Sequence, residues 1–229
     1  MKTIFFDLDD TLYFRRDAFY IAFEKFFNSL DKDLQKRSND TCRIRGDEVF
    51  YDAQQGKITM EQMYIYRFQK GFADCGIVIS EKEALDFQSL YKKELYSLKL
   101  NSEVIKMLNF AKSNFEQLGI ITNGPVDHQW NKVKNLGLDK WIEKDLTIVS
   151  AEYSVDKPDV KLFNIASQKA CKKTDELIII GDSFKNDIIP ASSLGWHSIW
   201  IDLYGESFIA PEYQVKDISE IIPVLKKFL

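Results

Sequence analysis

The chain has 229 residues, 45% hydrophobic and 29% charged, with a net charge of −4. These values belong to a core-forming globular protein about one and a half times a ~150-residue domain, and they exclude a disordered chain or a fibrous repeat. With 31 basic against 35 acidic residues there is no positive excess for gripping nucleic acid.

Thr3-Ile4-Phe5-Phe6 is an uninterrupted apolar run stopped by Asp7-Leu8-Asp9-Asp10. Continuous rather than alternating hydrophobicity predicts a central parallel strand covered on both faces. Residues 14–96 carry no strand pattern and predict about four amphipathic helices. The first, near 17–30, places Phe19, Phe23, Phe26, Phe27 and Leu30 at helical spacing, the pattern of an interior aromatic stripe. Thr59 with Gln62 and Ser80 with Glu83 make two capping boxes that open later helices, with Gly76 as a stop between them. From residue 97 onward strands and helices alternate. Apolar runs predict strands at 117–122, 146–150, 177–181 and 198–201, with a short edge strand at 213–215. Helical patterns cover 102–114, 127–136 closed by Gly137, 159–171 capped by Asp159, and 185–194, where Pro190 is admissible only in the first turns. This order predicts an α/β fold: a doubly wound parallel sheet built from 1–13 and 97–229, with a helical domain of 14–96 inserted after the first strand.

Three widely separated cysteines, Cys42, Cys75 and Cys171, read as free thiols in a reducing compartment. The apolar start is too short for a signal peptide, and no run approaches the ~18 residues that span a membrane. A soluble cytoplasmic protein with neither a membrane nor a nucleic-acid partner is expected.

Acidic residues mark the strand ends. Asp7 and Asp9 follow the first strand, Asp182 follows Leu177–Gly181, and Asp187 comes five residues later. In a parallel sheet these ends open onto one edge, where ligands bind. Carboxylates gathered there repel one another unless a cation sits among them, and a hard oxygen-seeking ion such as Mg2+ is the natural occupant. Thr122-Asn123-Gly124 ends another strand with a hydroxyl and a glycine turn, donors suited to phosphate. Lys157-Pro158 follows the strand after that. Each motif alone has an ordinary reading as a turn, a cap or a solvated charge. His128 and His197 lack metal-ligand spacing.

Taken in order, Asp7-Leu8-Asp9-Asp10-Thr11-Leu12, Ile121-Thr122-Asn123-Gly124, Lys157-Pro158 and Gly181-Asp182-Ser183-Phe184-Lys185-Asn186-Asp187 resemble the four motifs of the haloacid dehalogenase-like (HAD) hydrolase superfamily. That family has a Rossmann-like core, and the insert resembles its C1-type helical cap (subfamily I) by position and helicity. The stretch from Gly119 to Gln129 resembles the branch containing 5'-nucleotidases. The resemblance implies a Mg2+-dependent phosphomonoester hydrolase. Asp7 would be the nucleophile that forms an aspartyl-phosphate, a role open to an ionised carboxylate that needs no base. Asp9 would be the general acid/base, its backbone carbonyl reaching the metal. Thr122 and Lys157 would hold the phosphoryl oxygens, with Asn123 and Gly124 adding contacts. Asp7, Asp9, Asp182 and Asp187 would form the metal site, Asp187 directly or through water. Asp10 stands where glycine is commoner.

Nucleoside 5'-monophosphates are the expected substrates. Tyr13, Phe14 and Phe19 lie where the chain leaves the core, and aromatic faces there would stack on a base. Sugar phosphates or phosphoglycolate are the alternative, for which Arg15, Arg16 or Lys25 would supply a cation. Haloacid dehalogenation is disfavoured, since those enzymes lack the second Asp of the first motif. A phospho-accepting signalling receiver needs a strand ending near residue 50, and a dinucleotide-binding domain needs a glycine-rich turn after the first strand. Neither is present.

Overall fold

The computed structural model describes residues 1–203, 205 and 211–229. Contacts divide them into two compact units, Met1–Phe14 with Lys99–Leu229 and the inserted Arg15–Leu98. The divisions fall one and two residues beyond the expected boundaries. Tyr13 is held back by a bridge to Asp9, and the last inserted helix runs to Ser97.

The inserted unit consists of α1 (Arg15–Phe27), α2 (Lys32–Gln54), α3 (Met60–Ala73) and α4 (Glu81–Ser97). Helix α1 starts two residues earlier than its periodicity suggests and stops before Leu30, because Asn28 turns into the left-handed region at φ 50. Asp31 then caps α2, accepting from the Asp33 and Leu34 amides. Both capping boxes form as expected, Thr59 with Gln62 and Ser80 with Glu83. Helices α2 and α3 approach so closely that a Cβ on Gly71 would lie 2.5 Å from Cys42 Cα. The core of the unit is aromatic: Phe19, Phe23, Phe68, Phe72 and Phe87 are all fully buried. Phe19, expected to offer a face to a nucleobase, is sealed inside this cluster at 1% exposure. The helical period that makes a stripe also decides that the stripe faces inward. Phe87 is the hub, with ring centroids 4.9 Å from Phe68, 5.0 Å from Phe72 and 5.3 Å from Phe19. Phe87→Ala is expected to destabilise the chain by about 3–5 kcal/mol through lost burial and a residual cavity. A urea titration followed by circular dichroism checks this, and a loss under ~1 kcal/mol would mean that the cluster relaxes around the gap.

The other unit is a six-stranded parallel sheet of β1 (Thr3–Phe6), β2 (Gln117–Thr122), β3 (Thr147–Val149), β4 (Leu177–Gly181), β5 (His197–Ile201) and β6 (Tyr213–Val215). Its order is β3-β2-β1-β4-β5-β6. Strand β3 is shorter than the apolar run 146–150. Leu146 closes a 3-10 turn, and Ser150 already begins a one-turn helix. The helices of this unit are α5 (Ser102–Asn114), α6 (Val126–Asn135), α7 (Ser150–Tyr153), α8 (Val160–Ala170), α9 (Ile189–Ser193) and α10 (Ile221–Leu225). Helix α5 packs with α10 and α8 with α9. The expected helix 185–194 begins as a wide π turn, Phe184–Ile188, so Pro190 falls in the first turn of α9, where its missing N–H costs nothing. The apolar core includes Phe5, Ile121, Ile179, Phe163, Trp196 and Trp200. Trp196 packs against Phe5 and Phe163, both at 5.6 Å. Among the described residues no helix is long and apolar enough to cross a membrane.

Candidate active site

The register of the sheet builds the site. Phe6 pairs with Ile120 on one side and Ile180 on the other, so the ends of β1, β2 and β4 open onto one edge, β2 running on to Thr122 and β4 to Gly181. The Asp7 amide extends the ladder by donating to Ile180 O at 2.8 Å. Strand order reverses at β1/β4, the crevice where parallel sheets place ligands. Asp7 leaves β1 on one side of it and Asp182 leaves β4 on the other. Trp200 Nε1 donates to the Asp182 carbonyl at 2.8 Å and fixes that turn.

Asp187 reaches the same place from the π turn. It is wholly buried, and its carboxylate accepts from the Ser183 amide at 3.1 Å. It packs so tightly over the end of β4 that a Cβ on Gly181 would lie 2.4 Å from its Oδ2. Asp7, Asp182 and Asp187 each offer an oxygen within 4.8 Å of the others. The Asp9 carboxylate is not in that group.

Lys157 enters from the loop after α7. Its buried ammonium donates to Asp7 Oδ1 at 2.6 Å, Asp187 Oδ1 at 2.5 Å and Ile121 O at 3.0 Å. Burial works against its charge, but Asp187 and Asp7 more than offset that and hold its pKa above the usual lysine value. Burial, reinforced by Asp187 and Asp9, pushes the Asp7 carboxyl up to about 7 against the pull of Lys157. Asn123 clamps the lysine loop: its Nδ2 donates to Lys157 O at 2.9 Å, and its Oδ1 accepts from Lys157 N at 2.8 Å. The Gly124 amide donates to Ser150 Oγ at 3.0 Å. Both residues are expected to add phosphate contacts, and these are the partners the structure gives them. Lys157 remains beside Asp7, while Thr122, at the end of β2, meets Gln129.

Asp9 has an environment of its own. Lys132 Nζ on α6 lies 2.7 and 2.8 Å from its two oxygens. Gln129 Nε2, also on α6, donates to Asp9 Oδ2 at 3.0 Å and to Thr122 Oγ1. Tyr13 donates its hydroxyl to Asp9 Oδ1. Tyr13 is therefore a partner of Asp9 and not a stacking platform. Sequence reasoning missed Gln129 and Lys132. The available signal was a Gln and a Lys one helical turn apart, just after a strand-end motif. Both are buried, and a buried ammonium demands a partner. Asp10 takes φ 60 in the turn that carries Asp9, a left-handed position that glycine prefers and Asp tolerates.

Acidic side chains thus gather round one lysine at the carboxyl edge of this sheet. The pattern of the haloacid dehalogenase-like hydrolase family matches residues 4–201, and the chain belongs to that family. It is 25% identical to the glyceraldehyde 3-phosphate phosphatase of Methanocaldococcus jannaschii, over 99% of this chain and 97% of that one. It is 26% identical to the pyrimidine 5'-nucleotidase YjjG of Escherichia coli, over 98% and 97%. Among solved structures, the HAD-hydrolase YfnB of Bacillus subtilis, crystallised with magnesium, superposes with a TM-score of 0.72 at 21% identity, covering 98% of each chain.

Proposed function

We propose that the protein hydrolyses small phosphate monoesters through an aspartyl-phosphate on Asp7. The observation that carries this reading is the separation of the two carboxylates of the first motif. Asp7 sits in the acidic group with Lys157, while Asp9, two residues on, is held apart by Lys132, Tyr13 and Gln129. Unlike surroundings let two carboxylates play unlike roles.

A carboxylate oxygen of Asp7 attacks phosphorus, and the bond to the leaving oxygen breaks. That oxygen takes a proton from Asp9 and departs as an alcohol. Water then attacks the phosphorus and returns a proton to Asp9, the bond to Asp7 breaks, and inorganic phosphate leaves. Thr122 and Lys157 hold the equatorial oxygens, where negative charge gathers in the transition state. An Asp at position 9 favours this chemistry over dehalogenation, which has no alkoxide to protonate.

The acidic group suits a hard dication. All its donors are carboxylate oxygens, and Asp7 and Asp187 share the single ammonium of Lys157. Asp7, Asp182 and Asp187, with the Asp9 carbonyl, are the groups that would hold Mg2+. Its charge would let the anionic nucleophile approach an anionic phosphate. The inserted unit takes the place of a cap in the chain, and the three free thiols suit the reducing cytoplasm.

Nucleoside 5'-monophosphates are the substrates proposed first, on the Gly119–Gln129 resemblance and the full-length similarity to a pyrimidine 5'-nucleotidase. The burial of Tyr13, Phe14 and Phe19 removes the stacking argument for them. A triose or other sugar phosphate is the second reading, favoured by the glyceraldehyde 3-phosphate phosphatase similarity. Of the cations that reading invoked, Lys25 is already engaged with the buried Glu94 at 2.9 Å. Uridine and thymidine monophosphates are expected to exceed phosphoglycolate, glyceraldehyde 3-phosphate and a hexose phosphate at least tenfold in kcat/KM. A tenfold advantage for any of those three would overturn the nucleotide preference and leave the phosphatase assignment.

A further inference from the structure

We propose that Lys132 is a positioning residue for Asp9, holding in place the carboxylate that exchanges a proton with the leaving group; this rests on the phosphatase reading above. Helix α6 follows the strand-end motif directly and carries Gln129 and Lys132 one turn apart on its buried face. The Lys132 side chain is 6% exposed, and its ammonium spans both oxygens of Asp9 at 2.7 and 2.8 Å. Burying an ammonium is strongly unfavourable unless a partner is fixed against it, so ordering the lysine and ordering Asp9 are one event. The same ammonium lies 5.9 Å from the centroid of the Tyr13 ring, whose hydroxyl donates to Asp9 Oδ1. Gln129 closes the arrangement from the other side by donating to Oδ2.

An aspartate side chain on a turn samples several rotamers. Donors on both oxygens, anchored on a helix and on the Tyr13 ring, select one. The carboxylate keeps 19% exposure, the face through which a leaving oxygen reaches it. The Gln129 amide also donates to Thr122 Oγ1. One helix thereby contacts both the proton-transfer group and Thr122. Misplacing a catalytic group by about 1 Å costs on the order of a hundredfold in rate, and Lys132 acts on the reaction through Asp9.

The test is a leaving-group comparison. An alkyl phosphate such as glycerol 2-phosphate expels an alkoxide that needs a proton, whereas 2,4-dinitrophenyl phosphate expels a phenolate that does not. For both, kcat/KM reports the step in which the leaving group departs. Lys132→Met is expected to lower the alkyl value about a hundredfold, within the range of general acid–base catalysis, and the aryl value less than about fivefold. Lys132→Arg, which keeps a cation, should recover most of the alkyl activity. In an Asp9→Asn background Lys132→Met should cost less than about twofold further, because the two act as one unit. Equal losses on both substrates, or a change confined to KM, would overturn the proposal. Lys132→Gln runs the same comparison if the methionine variant does not fold, and is judged by the same outcomes. Asp9→Asn alone separates the two failures. If its own loss is equal on both substrates, the role given to Asp9 falls. If its loss is selective while that of Lys132→Met is uniform, only the role of Lys132 falls.

Discussion

Asp7→Asn is expected to lower turnover of an aryl phosphate at least about a thousandfold, some 4 kcal/mol of barrier, while leaving the fold intact. The amide matches the carboxylate in shape but is a far poorer nucleophile. The same change should raise the melting temperature of chelator-treated protein. The Asp7 carboxyl titrates near 7 in the folded chain against an ordinary value of 3.8, with burial the main cause. A folded-state pKa above the unfolded one means that the folded chain retains the proton between those two pH values. The Asp7 contribution to stability is therefore present below about 4 and is lost as pH rises toward 7. At pH 8 the neutral amide avoids that loss. A gain of at least about 2 °C is expected, corresponding to about 1 kcal/mol in a chain of this length, narrowing as pH falls toward 5. Steady-state assays and a thermal melt at each pH check both halves. Turnover above a tenth of wild type would remove Asp7 from the nucleophile's role.

Removing divalent metal should be nearly as damaging. Chelation is expected to reduce hydrolysis at least about a hundredfold, about 2.7 kcal/mol, and Mg2+ should restore it. Binding gives a second readout. At a hundred times its dissociation constant, Mg2+ stabilises the folded chain by about 2.7 kcal/mol, roughly 5–10 °C at this size. Asp187→Asn should abolish most of that gain, since Asp187 supplies one of three clustered oxygens and is wholly buried. A chelated protein that hydrolyses aryl phosphate as fast as the Mg2+-loaded one would overturn the metal assignment. A full Mg2+ shift in Asp187→Asn would place the ion elsewhere.

Much of the architecture is legible in the residues alone. The apolar runs at 3–6, 117–122 and 177–181 become strands because only a sheet buried on both faces accommodates them. Thr59 and Ser80 start helices because the partners that complete each cap lie three residues away. These are local properties, and Asp7, Asp182 and Asp187 inherit their common edge from them, since parallel strands end on one side. The ends of β3 are less legible. Leu146 and Ser150 satisfy the apolar pattern, but their backbones turn into the flanking elements.

Other features are decided only in the tertiary structure. Asn123 reads as a turn residue, and only the folded chain shows its amide spent on the backbone of Lys157, 34 positions away. The aromatic stripe of α1 gives no sign of which ring faces substrate, and packing with α3 and α4 puts Phe19 beyond reach. Lys132 reads as a solvated charge on a helix, because its partner Asp9 is 123 positions away. Local patterning sets where each element begins and which of its faces is apolar, through forces that act over a few residues. Which two faces meet depends on strand order and register, here the placement of β2 beside β1. That placement brings α6 to Asp9, and no single segment of the sequence encodes it.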